Sequence, residues 1–248
     1  MILLKSPQEI ARMEVANRIV AEILEEVKER VRPGVETREL DELAEEGCRR
    51  RQVEPAFKGY RGYPGSICVS VNEEVVHGIP GPRRLKDGDL VSLDFGVRCD
   101  GFYGDMALTL PVGEVSPQAR KLLEATRESL DAAIAQVKVG ARLTDISHAV
   151  QTVVEGQGFA VIREFVGHGI GRSLHEDPQI PNFGPPGRGP VLQAGMTMAI
   201  EPMTSNGSWR VRILADGWTA VTQDGSLAAH FEHTVALTDK GVMVLSRL

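Results

Sequence analysis

The chain has 248 residues, 42% of them hydrophobic and 25% charged, and a formal net charge of −6. That composition belongs to an ordinary globular protein, and no apolar run approaches the ~20 residues of a membrane span. The negative balance excludes a general affinity for nucleic acid, which needs a basic face.

The start, "MILLKSPQEIARMEV", has too short an apolar stretch for a signal peptide, and a cytoplasmic protein is expected. Ser6-Pro7-Gln8-Glu9 is a capping box with proline at the first helical position, followed by Ile10, Met13, Val20, Leu24 and Val27 at helical spacing. A helix is predicted there, ending before Pro33-Gly34. A second is predicted from near Thr37 to near Gly47. The Gly- and aromatic-rich stretch "GYRGYPGSICVSVNEEVVHGIPG" follows, with strand-like "SICVSV" inside it. Cys48, Cys68 and Cys99 are odd in number and form no CxxC, so they predict buried thiols, not a disulfide framework or a cysteine zinc site.

Residues 89 to 110 read as a hairpin whose alternating strands flank a four-residue loop, Arg98-Cys99-Asp100-Gly101. With Val97 paired to Phe102, the register sets Asp94 directly opposite Asp105, their β-carbons ~4.5–5.5 Å apart. Two facing carboxylates in a half-buried sheet destabilise it unless one is protonated or a cation lies between them.

From residue 116 the pattern restarts. Ser116-Pro117-Gln118 opens a helix predicted to run to Gly140, and Leu143-Thr144-Asp145 leads into another reaching about Glu155. "HGIP" at 77–80 is echoed by "HGIG" at 168–171, and "LKDGDLVSLD" at 85–94 by "LQAGMTMAIE" at 192–201. The repetition predicts a single α+β domain over 1–248 built from two pseudo-repeats, about 1–115 and 116–248, related by a pseudo-twofold and sharing one central sheet.

Two further acids lie in apolar strands: Glu201 ends "MTMAIEP", and Glu232 sits in "AAHFEHTVAL", where alternation puts His230, Glu232 and Thr234 on one face. Acids in such surroundings are seldom left unpaired. With His168 from "VGHGIGRSLHEDP", the set is Asp94, Asp105, His168, Glu201 and Glu232. An oxygen-rich site with a single imidazole suits Mn, Fe, Co or Zn. Four carboxylates carry more charge than one divalent ion needs, so two ions ~3.5–4 Å apart are expected.

These residues resemble the type I methionine aminopeptidases of the pita-bread fold. The likeness runs over nearly the whole chain through "GYPGSICVSVNE", "HGIP", "DGDLVSLDFG", "GFYGD", "VGHGIGRSLHEDP", "MTMAIEP" and "FEHT", in the family's order. It implies a central, mainly antiparallel curved sheet with helices on one face, and removal of an N-terminal methionine from nascent proteins and peptides with a small second residue. It implies that Asp105 and Glu232 bridge two ions, Asp94 chelates one, and His168 and Glu201 complete the other. Glu201 would also carry the proton as a bridging water attacks. His77 and His175 would flank the scissile peptide, and Tyr60, Tyr63, Cys68, His77 and Trp218 would line the methionine pocket.

Leu174 stands where the family commonly has Phe, Phe57 near a position often smaller, and Val76 where Cys is common, so pocket shape is where this chain departs most. The neighbourhood matching Asn72 binds a monovalent cation in some relatives. The short stretch between His168 and Glu201 fits type I, since type II enzymes carry a long insertion there, and the absence of a zinc-binding extension before the first helix fits a bacterial form. The resemblance further implies a monomer that acts on nascent chains and meets the ribosome, with "NGSWRVRI" and "GPRRLK" as thin basic contacts.

Two other readings compete. An X-Pro aminopeptidase or prolidase shares the fold and ligands but usually carries a large amino-terminal domain, for which a first helix at residue 6 leaves no room. A non-catalytic peptide-binding module of the same fold would have no use for four mutually repelling carboxylates. The acidic runs "EILEEVKER" and "ELAEEG" read as solvated helix faces, and His148 as a structural or surface residue.

Overall fold

The computed structural model describes residues 1–248. Helix α1 spans Pro7–Lys28, with Ser6 and Glu9 forming the capping box that the sequence announces, and α2 spans Thr37–Arg51. Helix α2 runs through Gly47, where the sequence predicts its end. The glycine serves helix packing: a β-carbon there would lie 2.9 Å from Cγ1 of Ile23 on α1. The helix stops instead at Gln52, whose left-handed backbone (φ 56°) caps it.

Short strands β1 (Glu54–Pro55), β2 (Cys68–Val71) and β3 (Glu74–Val76) lead to the long hairpin β4 (Leu90–Cys99) and β5 (Phe102–Pro111). A second helical pair follows as α3 (Pro117–Ile134) and α4 (Leu143–Gly156). Helix α3 ends before the predicted Gly140, which instead turns the chain at φ 89° and donates its N–H to the Leu192 carbonyl. Then come β6 (Ala160–Val161), β7 (Gly167–Gly169), β8 (Glu176–Ile180), β9 (Thr197–Ile200) and β10 (Met203–Ser205). The chain closes with β11 (Val211–Ile213), β12 (Ala220–Thr222), β13 (Ala228–His230), β14 (Glu232–Thr238) and β15 (Gly241–Val244).

Nine strands form one antiparallel sheet in the order β1-β4-β5-β14-β9-β7-β8, with β2 also on β4 and β15 also on β14. The hairpin β4–β5 lies on one side of the β5–β14 seam and the β9–β14 pair on the other. Helices α1 and α2 bury Val20, Ile23, Leu24, Leu40 and Ala44 against Val69, Val91, Leu93 and Phe95 of one half. On the other, Leu130, Ile146 and Val150 of α3 and α4 pack on Met198, Ile200 and Val235.

The hairpin corrects the predicted register. Its loop is two residues, Asp100-Gly101, both at positive φ (50° and 81°) as a tight turn matching strand twist demands. Cys99 therefore pairs with Phe102, Asp94 faces Ala107 and Asp105 faces Gly96. The slip from the predicted pairing is an even number of residues, and side chains alternate with period two, so both acids keep the same face as diagonal rather than direct neighbours. Cys48 and Cys68 are buried thiols, whereas Cys99, at the hairpin end, is half-exposed.

Candidate metal centre

The sheet delivers its polar residues to one cavity of about 160 Å³, lined by Asp94, Asp105, His168, Glu201 and Glu232 together with His77, His175, Tyr60, Tyr63, Cys68 and Trp218. All the residues singled out in the sequence for ligation, peptide contact and the side-chain pocket thus meet in one place. Phe57, Arg61 and Leu174 complete the wall.

Local structure explains each position. Asp105 is fixed from both sides: its N–H donates to Asn17 Oδ1 on α1, and its carbonyl accepts from Thr234 Oγ1 on β14. The close approach of α1 depends on Gly104, where a β-carbon would come within 2.8 Å of the Ala16 and Asn17 backbone. Asp94 lies beside Cys68 across β2–β4. Glu201 follows β9 directly, its carbonyl held by Asn182 Nδ2 at 2.9 Å. Glu232 opens β14 opposite Ala107.

His168 Nε2 is 3.5 Å from Glu201 Oε1 and 4.0 Å from Asp105 Oδ2. Its Nδ1 lies 2.9 Å from the Gly169 carbonyl. A neutral imidazole donating Nδ1–H to that carbonyl leaves the Nε2 lone pair directed at the acids, which is how histidine ligands are usually oriented.

The electrostatics of the bare protein are unfavourable. Burial, joined by the Glu201 charge, pushes Asp94 up to about 7, and burial likewise raises Glu201 to about 7. Burial and the neighbouring acids hold Asp105 and Glu232 well above the usual carboxylate range. Asp94 Oδ1, Asp105 Oδ1 and Glu232 Oε1 are buried without any hydrogen-bond partner. Orphaned carboxylate oxygens cost several kcal/mol unless a cation satisfies them. The donor set therefore fits divalent metal: Asp105, His168 and Glu232 each offer an atom within 4.8 Å of the others, as do Glu201, His230 and Glu232.

A matching family model covers residues 11–239: metallopeptidase family M24. The chain belongs to this family. A protein named methionine aminopeptidase 1 from Bacillus subtilis is 54% identical over 248 residues, with both chains fully covered. A methionine aminopeptidase from Mycobacterium tuberculosis is 47% identical, covering 98% of this chain and 94% of its own. Among solved structures, methionine aminopeptidase from Thermotoga maritima superposes with a TM-score of 0.98 at 52% identity, each chain fully covered. Prolidase from Pyrococcus furiosus shares the fold at a TM-score of 0.81 and 22% identity; the match spans 99% of this chain but only 65% of that longer one. As an M24 metallopeptidase with clusters of candidate ligands, the chain uses divalent metal.

Elsewhere in the cavity lining, His175 stacks on Tyr60, whose hydroxyl is 2.9 Å from His175 Nδ1, and its ring centroid is 4.2 Å from that of His168. Burial lowers both His77 and His175 to about 4, so both are neutral at physiological pH. His77 sits at φ 61°, a backbone strain borne at the cavity wall, with Phe165 and Trp218 edge-on to its ring. Tyr63 donates its hydroxyl to the Gly78 carbonyl at 2.8 Å and meets Trp218 edge-on at 5.2 Å. Its polar end is thus spent on backbone, leaving apolar aromatic surface to the cavity.

Sequence reasoning gave no role to Arg61 or His230. Arg61 lines the mouth through a left-handed backbone (φ 50°), a conformation that no local pattern announces. His230 was legible: strand alternation puts it on the face of Glu232. Asn72 acts as a turn and cap. Its Nδ2 donates to Asp89 Oδ1, its Oδ1 accepts from the Leu90 N–H, and its carbonyl accepts from Ala228.

Proposed function

We propose that the protein is a type I methionine aminopeptidase that binds two divalent ions and, as a cytoplasmic monomer, removes the initiator methionine from nascent chains whose second residue is small. The supporting observation is the single cavity that joins an acidic, metal-suited wall to an aromatic and thiol-bearing pocket, in a chain 54% identical over its full length to a protein of that name.

In this reading Asp94, Asp105, His168, Glu201 and Glu232 would hold the two ions, the acids offsetting their charge and His168 adding the one imidazole. When bound, the metal supplies Lewis acidity and an activated water near neutral pH. The protein's part is orientation and proton handling. Tyr63, Cys68 and Trp218 form a polarizable wall for a thioether. Neutral His175, its Nδ1 facing the Tyr60 hydroxyl, turns Nε2–H toward the scissile carbonyl and stabilises charge developing on that oxygen. Neutral His77, on the same cavity wall, would meet the peptide nitrogen. Glu201, raised to about 7, takes and returns a proton close to working pH. Phe57 and Leu174, both buried, narrow the pocket.

The test is a competition between Met-Ala-Ser and Xaa-Pro peptides with the Mn- or Co-loaded protein. Release of free methionine with no Xaa-Pro cleavage is expected. Cleavage of Xaa-Pro peptides alone would establish the prolidase reading, and binding of both without cleavage the peptide-binding module.

A further inference from the structure

His230 is the most deeply buried imidazole of the molecule, 1% exposed, and neither ring nitrogen has a hydrogen-bond partner within the protein. Its backbone is held rigidly: the N–H donates to Thr109 Oγ1 and the carbonyl accepts from that hydroxyl, both at 2.8 Å, while Ser92 Oγ lies 2.8 Å from Thr109 Oγ1. The β10–β13 ladder pairs His230 with Met203, two residues past Glu201. The ring lies among the site's acids, Glu232 and Asp94 included, and Glu201 Oε2 is 3.6 Å from its Nε2. The other oxygen of that carboxylate, Oε1, is turned to His168 at 3.5 Å. Glu201 thus lies between two imidazoles, one on each oxygen.

A carboxylate that gives one oxygen to a metal in a buried site leaves the second needing a donor, and such outer partners fix the angle and basicity of the ligand. We infer that His230 is the positioning residue of Glu201: Nε2–H holds Oε2, which turns Oε1 toward His168 and the metal the two would share. This rests on the assignment of Glu201 as ligand and proton carrier. It differs from direct ligation by His230 in that Nε2 would serve Oε2 as a hydrogen-bond donor, and not a metal ion as a lone pair.

The two ring nitrogens can be imitated separately. A Gln side chain brings its amide nitrogen near the position of Nε2, Asn brings its own near Nδ1, and Leu fills the space without a donor. His230→Gln, His230→Asn and His230→Leu would each be checked by thermal melting, titrated with Mn²⁺ by calorimetry without peptide, and assayed for kcat and KM on Met-Ala-Ser. The inference expects Gln to retain Mn²⁺ affinity and kcat within about threefold, while Asn and Leu lose roughly 10- to 100-fold, in kcat with little change in KM. Equal losses in Gln and Leu would overturn it, the Gln loss in affinity assigning His230 as a direct ligand. Unchanged behaviour in all three folded variants would overturn it equally. Should no protein, wild type included, release methionine, the functional reading fails while the calorimetric comparison still judges His230.

Discussion

Replacing Asp94 by Asn tests whether the acidic cluster stores repulsion that metal relieves. Asp94 rises from an ordinary 3.8 to about 7 through burial and the Glu201 charge, so the native apo protein holds this proton to higher pH than the unfolded chain does. The stability linked to that proton is complete below about pH 4 and is lost as pH rises through 7, at about 1.4 kcal/mol for each pH unit. The full span is worth about 4 kcal/mol; the part of Asp94 open to the cavity, and the sharing of protons with Asp105 and Glu232, reduce it to roughly 2–4 kcal/mol. Urea unfolding of apo wild type and Asp94→Asn at pH 4 and pH 8 measures it directly. The variant should gain on wild type by that amount between the two pH values, while its Mn²⁺ affinity falls at least tenfold. Parallel pH profiles for the two apo proteins, or a variant weakened equally at both pH values, would refute the argument.

Other consequences follow from particular contacts. Lys5 and Glu176 form an ion pair with only 5% and 7% of their side chains exposed, and Glu176 Oε1 also accepts the Arg172 and Ser173 N–H groups, fixing the loop before His175. Lys5→Met should cost about 3 kcal/mol in urea unfolding and lower kcat, because it leaves Glu176 charged and unpaired next to His175. Gly101→Ala should cost about 1 kcal/mol from its positive φ alone, with activity intact. Gly104→Ala, whose β-carbon would strike the α1 backbone beside Asp105, should cost several times more and depress metal affinity as well. Removal of metal by a chelator should abolish hydrolysis and lower Tm, and readdition of Mn²⁺ should restore both.

The parts of the fold that were legible are those fixed by local chemistry. Ser6-Pro7 and Ser116-Pro117 mark their helices because proline preorganises the first turn and a hydroxyl caps it. The acids of the site stood out because they interrupt apolar strands. What the sequence left hidden depends on tertiary approach: Gly47 reads as a helix stop until Ile23 is seen against it, and no local pattern marks Gly104 as the place where the α1 backbone crosses. The hairpin shows both limits. Asp100-Gly101 gave the turn, its residue count was misjudged, and the face of Asp94 and Asp105 survived only because the error was even. His230 was placed on the correct face, yet its importance needs the distance to Glu201, which no pattern supplies.

The central claim, that this cavity is a two-ion centre for releasing N-terminal methionine, is tested most directly by titrating the apo protein with Mn²⁺ under anaerobic conditions while counting bound ions and free methionine from Met-Ala-Ser. The account predicts binding that saturates at two ions per chain, with methionine release appearing as metal binds and absent before it. A folded protein that binds no divalent ion, or one that is fully loaded and releases no methionine, would contradict it.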